Sequence, residues 1–276
     1  MTLSSIERLE QIKQMGINNI IIHHNGFSDR ANKFFDLFEI QEILTISKKL
    51  KLNVFLNLNT LIHEFELKQL KEFLLQIESF DFKGIYFNDL SYLHLLKDSR
   101  LFSLLIYNPD TLLTSYSDIN NFLDLGIDSA VISKEITYEE INEIIKNSNK
   151  KLDLIVFGYL NMSYSRRHYI RNYLNVINSD YKVNKPLELI EATRTGRMPI
   201  MENQHGCSLF TEYVLCTLDL DLDGIRYGIV DDVFLDFSEV ETAIKTEKGK
   251  VLETLNHKFD RDFSSGYMYL KTNLVK

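Results

Sequence analysis

The sequence predicts an α/β fold with a (β/α)8 TIM-barrel-like core and an inserted β-hairpin region after the sixth strand. Three observations carry this expectation. Short β-branched or apolar runs alternate with amphipathic stretches, the pattern of parallel strands joined by crossover helices. A local phrase recurs in which a helix ends in a small turn and a strand follows, as in QMGINNIIIH, SFDFKGIYFN and DLGIDSAVIS. The length of 276 residues is close to the roughly 250 of an ordinary eight-stranded barrel.

A short strand is expected near Leu3, and the first full one over 17–23, after Gly16, a residue suited to the left-handed position that ends a helix. Over 39–50 (EIQEILTISKKL) apolar residues recur at three- and four-residue spacing and lysines close the helix. The strand 52–58 (LNVFLNL) follows, and the helix 66–77 (ELKQLKEFLLQI) repeats the amphipathic pattern. Strands are then expected at 84–87, with Gly84 in a turn role, at 102–107, and at 129–132 behind Gly126. The next helix starts near Thr137 with Glu140 as its capping-box partner, and an apolar strand follows over 152–157.

Regularity breaks between about 175 and 222. There 198–201 and 207–210, separated by the turn-like Asn203-Gln204-His205-Gly206, read as a β-hairpin. A last strand is expected at 224–230, and FDRDFSSGYMYL reads as a closing segment. With no Pro-, Gly- or Ser-rich linker, residues 1–276 read as one domain. An open doubly wound sheet is the alternative, but neither GxGxxG nor GxxxxGK[ST] occurs to support it.

A net charge of −8 argues against a broad polyanion-binding surface while leaving room for a local basic patch. Two cysteines, Cys207 and Cys216, are too few for a disulfide framework or for an iron-sulfur cluster held by this chain's thiolates alone. A cytoplasmic setting is therefore expected. MTLSSIERLE lacks a signal-peptide core, and no run approaches the roughly 18 apolar residues of a membrane span.

In a barrel, reactive groups belong at strand ends. Alternation points Asn57 and Asn59 to one side, the expected mouth, against a plain reading as loop-capping amides. Lys134 and Glu135 follow the fifth strand; a lysine there can hold an anion or form a Schiff base and a carboxylate can move protons, against a reading as a solvated pair. The densest group follows the sixth strand: Asn161, Tyr164, Arg166, Arg167 and His168, then Arg171 and Tyr173. Ser163 or Ser165 is placed to cap a helix whose first turn carries those cations, which oppose the macrodipole unless an anion is near. Arginine with tyrosine suits phosphate contact and base stacking, and a solvated amphipathic helix is the plain alternative. GxSxG and HExxH are absent; His63-Glu64 and His23-His24 lack ligand partners at metal-site spacing.

The strings VFLNLNTLIHEFEL, LGIDSAVISKEITYEEI, IVFGYLNMSYSRRHYI, MPIMENQHGCSLFTEYVLCTL and FDRDFSSGYMYL resemble, in order and spacing, the collagenase-like U32 peptidase family. The resemblance implies a barrel-like core. It also implies kinship with members that hydroxylate tRNA wobble uridine, ribosomal RNA or a quinone precursor and hold an iron-sulfur cluster through four cysteines. Here the first of those cysteines falls on Asn161, the second on His168, the third in a stretch without cysteine and the fourth on Cys216. The motif histidine becomes Phe157; Gly228 replaces an acidic residue and Arg226 a lysine.

The chain is thus similar to a short, cysteine-depleted branch that accompanies a longer, cysteine-complete paralogue in tRNA 5-hydroxyuridine formation, where prephenate is implicated as a co-substrate. The resemblance implies no cluster bound by this chain, and tRNA and the paralogue as partners. Arg166, Arg167, Arg171 and Tyr164 are the expected RNA contacts, and Lys134, Glu135, Asn59 and Arg226 the expected catalytic group. Two other classes compete: a peptidase using Cys216 and His205, and a non-catalytic barrel that binds the paralogue.

Overall fold

A computed structural model describes residues 1–181, 187–193 and 196–270. Its first half is a parallel five-stranded sheet in the order β1 (Asn19–His23), β2 (Asn53–Leu58), β3 (Gly84–Phe87), β4 (Leu105–Tyr107) and β5 (Ser129–Ala130). Helix α1 (Leu9–Gln14) precedes β1; α2 (Leu37–Leu50), α3 (Leu67–Gln76), α4 (Ser91–Leu95), α5 (Tyr116–Asp124) and α6 (Tyr138–Asn147) follow successive strands. Capping boxes fix two of these helix starts, Asp36 with Glu39 and the expected Thr137 with Glu140.

The second half begins with β6 (Asp153–Ser165) and α7 (Tyr169–Val176). Strands β7 (Leu187–Ile190), β8 (Arg197–Asn203), β9 (Gly206–Cys216) and β10 (Tyr227–Val230) follow, then α8 (Phe237–Lys245), α9 (Val251–Lys258) and β11 (Phe263–Ser264). The second sheet runs β10-β6-β9-β8-β7, with β11 on β9. Strand β10 is parallel to β6, while β6, β9, β8 and β7 pair antiparallel as an arm. Among the described residues the ladders thus fall into two sheets, with no continuous ladder closing a barrel. Between the sheets stand a bridge from Val131 to Asp153 and the segment at Thr2, which bridges Ile21 and donates its N–H to the Val230 carbonyl.

Side chains from both sheets meet in one inner apolar layer of Ile21, Phe55, Tyr86, Ile106, Val131 and Ile229, with Ile155 and Tyr227 against it. The opposite faces of the strands pack under the helices through Ile20, Ile22, Leu56 and Ile85. Each such buried side chain contributes about 1.5–3 kcal/mol.

Several expectations are corrected. The 102–107 segment is a 3-10 turn over Arg100–Leu104 before a short β4, because the Ser99 hydroxyl accepts the Leu101 N–H. Gly84 plays no turn role; a Cβ there would meet Phe55 and Ile106 side chains at 2.6–2.8 Å, so it is a packing glycine. Strand β6 does not end at Phe157 but continues to Ser165, and the strand expected from 224 starts at Tyr227. The irregular stretch includes 182–186 and 194–195, outside the described residues, as are 271–276 beyond the closing segment.

Gly206, at φ +137°, turns the chain from β8 into β9 so close to the Ser165 carbonyl and Arg166 Cα that no Cβ fits. Gly206→Ala is expected to cost roughly 1–3 kcal/mol, measured as a lower urea midpoint with an unchanged slope.

Candidate functional site

Side chains alternate along a strand, so the residue two positions beyond each inner apolar residue faces the same interior at the carboxyl end of the strands. Those residues are His23 after Ile21, Asn57 after Phe55, Asn88 after Tyr86, Asn108 after Ile106 and Asp231 after Ile229. The apolar layer thus gives way to a polar ring. His23 and Asn57 are register partners, and Asn57 Nδ2 lies 3.0 Å from His23 Nε2. Burial, then nearby Arg30, brings the His23 pKa down to about 3, so the imidazole is neutral. With Nε2 accepting from the Asn57 amide, the network assigns the proton to Nδ1. His23 Nδ1, Asn57 Oδ1, Asn88 Oδ1 and Asn108 Oδ1 are buried without a hydrogen-bond partner among the described residues.

Charged groups from four segments stand beside the ring. Asp110, after β4, accepts from Lys134 Nζ at 3.2 Å and pairs with Arg30 Nη2 at 3.1 Å. Arg30 Nε also lies 3.3 Å from Asp29 Oδ1. Asn161, from β6, satisfies both amide ends when Oδ1 accepts from Arg30 Nη1 and Nδ2 donates to the Ser163 carbonyl, each at 3.0 Å. The Arg30 guanidinium lies 5.6 Å from the Tyr164 ring centroid. Burial favours a protonated Asp110, but Arg30 and then Lys134 outweigh it and hold that carboxyl below its ordinary range. Burial raises Asp29 to about 6, and burial with neighbouring Asp232 raises Asp231 to about 7. Asn88, Asp110, Asn161 and Tyr164 border a cavity of about 260 Å³.

Lys134, read with Glu135 as one strand-end pair, is instead separated from it: Lys134 is 2% exposed on Asp110, while Glu135 faces solvent. Asn59 is a buried fastener, its Oδ1 accepting the Asp29 N–H and its carbonyl accepting from Asn88 Nδ2. Arg226 does not join them. It precedes β10, at the amino end of the parallel strands, where it grips Asp153 with two 2.8 Å bonds and also pairs with Asp128.

The expected RNA contacts also divide. Arg166 is partly buried in an ion pair with Glu66, whereas Arg167 is exposed. The Tyr164 hydroxyl donates to the His205 carbonyl at 2.9 Å. The helix expected to open at Ser163 or Ser165 begins at Tyr169, because those serines belong to β6. The anion at its amino end is the chain's own Glu202, which accepts from the Ile170 and Arg171 N–H groups and approaches His168 Nδ1 at 3.9 Å. Arg171 extends into solvent 3.9 Å from the same carboxylate.

Cys216 and His205 cannot work as nucleophile and base, since they lie at opposite ends of the eleven-residue β9. Burial raises the Cys216 thiol to about 11, and the His205 ring faces the Asn25 carbonyl. The positions that the resemblance matches to the family's cysteines are also dispersed. Cys216 lies opposite Phe157, Asn161 is four residues along β6, roughly 13 Å at about 3.3 Å per residue, and His168 stands by Glu202. Asp29, Arg30, Asp110, Asn88, Asn108 and Asp231 escaped the sequence reading; a polar residue two positions past an inner apolar one was the signal for Asn88, Asn108 and Asp231, while Asp29, Arg30 and Asp110 lie in the loops beyond and carry no such signal.

The model of peptidase family U32 matches residues 4–223. A curated relative, tRNA hydroxylation protein P2 of Bacillus subtilis (strain 168), is 22% identical over 228 residues, covering 81% of this chain and 74% of the relative. A solved U32 peptidase structure aligns with 58% of this chain and 68% of its own, at a TM-score of 0.48 and 14% identity. Among the described residues, no helix is long and apolar enough to cross a membrane.

Proposed function

Because the chain belongs to peptidase family U32, we propose that it acts in 5-hydroxylation of tRNA wobble uridine, as the member of a pair that carries no cluster of its own. The observation that carries this reading is the match over 81% of the chain to a relative named for tRNA hydroxylation. The strand-end chemistry supports the division of labour, because an amide, an imidazole by a carboxylate and one buried thiol replace the family's thiolates. A longer, cysteine-complete paralogue then supplies the redox centre, and this chain supplies binding and orientation. Arg167 and Arg171 offer the outward cations for tRNA phosphate. The bridges at Val131 and Thr2, with the shared inner layer, support taking the two sheets as one barrel-like wall around the mouth.

Deleting the gene is expected to abolish or strongly reduce 5-hydroxyuridine derivatives in nucleoside mass spectrometry of bulk tRNA, with restoration by the wild-type chain. Unchanged levels would overturn the reading. Affinity purification of the chain from its native cell is expected to bring the paralogue with it.

A further inference from the structure

We propose that the amino end of the parallel strands, opposite the mouth, carries a small-molecule site built for a neutral aromatic ring that bears one hydrogen-bond acceptor. A cavity of about 370 Å³ lies there between β1 and β10, which no ladder joins among the described residues. Its inner wall is the underside of the apolar layer, where Phe55 meets the Tyr227 ring edge to face at 5.6 Å and the Tyr86 ring at 5.8 Å. Exposed Gly16, Asn18 and Gly228 form the rim, so the space opens to solvent. Ile21, Phe55 and Ile229 separate it from the strand ends, and the assignment stands apart from the tRNA reading.

The polar anchor is Arg226, which lines the same cavity. Its Nε and Nη2 donate to Asp153 and its Nη1 to Asp128, so three of the five guanidinium N–H groups are used among the described residues. The others are left for an acceptor. These contacts also select the ligand's charge. Two carboxylates already offset the guanidinium, and Asp153 is 0% exposed, so an added anion finds little net attraction. A cation would confront Arg226 itself. A neutral acceptor such as a carbonyl meets neither obstacle, and the aromatic wall favours a flat ring over an aliphatic chain. A cavity of about 150 Å³ holds benzene, so this one admits one or two rings.

Titration of the full chain with Prodan, a neutral naphthalene ketone whose emission moves to the blue in apolar surroundings, tests the assignment. Saturable blue-shifted emission is expected, with a Kd on the order of 100 µM for a probe of this size. Tyr227→Leu, which removes a ring from the wall, is expected to weaken binding about fivefold. Ile244→Trp, which fills the space from α8, is expected to weaken it about tenfold or more. Tyr227 is only half-buried, so its variant decides the placement should Ile244→Trp unfold in urea titration. On the wild type, 2-acetylnaphthalene is expected to displace Prodan at about tenfold lower concentration than the carboxylate 2-naphthoate. Absence of saturable blue-shifted emission overturns the site. Undiminished binding by the folded variants overturns its placement in this cavity, and equal displacement by the carboxylate overturns the neutral class.

Discussion

Asp110→Asn is expected to destabilise the protein by about 3–5 kcal/mol, because it removes the carboxylate that Lys134 and Arg30 share. Lys134 is 2% exposed and pairs at 3.2 Å with Asp110, so its ammonium is left in a dry site. Asparagine is the informative replacement, since Asp110 has a φ of 63°, a left-handed conformation that asparagine tolerates and alanine does not. The double variant Asp110→Asn with Lys134→Met is expected to recover most of the loss, because the uncompensated charge is gone. Urea unfolding at pH 7 checks both. A loss below about 1 kcal/mol for the single variant would show that the pair contributes no more than a surface contact.

The second large effect is a pH dependence. Burial, then Asp232, holds the Asp231 pKa at about 7 in the folded protein, against an ordinary value of 3.8. Between those values the native state keeps a proton that the unfolded chain releases. Stability from this group is therefore greatest at the acid end of the window and falls as pH rises towards 7, by up to about 1.4 kcal/mol per unit. Asp29, raised to about 6, adds to the same slope over pH 4 to 6. Asp231→Asn imitates the protonated form and keeps an oxygen for the Val233 N–H that Oδ1 now accepts at 3.2 Å. The variant is expected to unfold at higher urea than the wild type at pH 8 and to match it near pH 4. Identical pH profiles for the two proteins would remove Asp231 as the titrating group.

Much of the frame was legible because local pattern dictates it. The 84–87 strand carries the β-favouring Ile85-Tyr86-Phe87, and the Thr137 capping box is written within four residues, so both match the structure. The 102–107 segment misled because an apolar 3-10 turn and a buried strand share a composition. That Asn57 stands near the carboxyl end of its strand was legible, since the strand itself is a local pattern. Lys134 was not: what separates a solvated lysine from a buried one is Asp110, twenty-four positions earlier, brought near by the parallel order of β4 and β5. Arg166 follows the same logic, being joined to Glu66 across one hundred positions. Local signals give elements, while charge states at strand ends depend on which ends the topology makes neighbours.

The long strand β6 also has a mechanical side. Its pairing with β9 slips in register between Tyr159 and Asn161 and again between Asn161 and Ser163, so Asn161 stands between two bulges. A bulge bends the strand that carries it, sharpens its twist and re-aims a side chain. The bend in the arm thus coincides with the amide that holds the Arg30 guanidinium. Irregular pairing here turns Asn161 away from the ladder and towards the charged rim of the mouth.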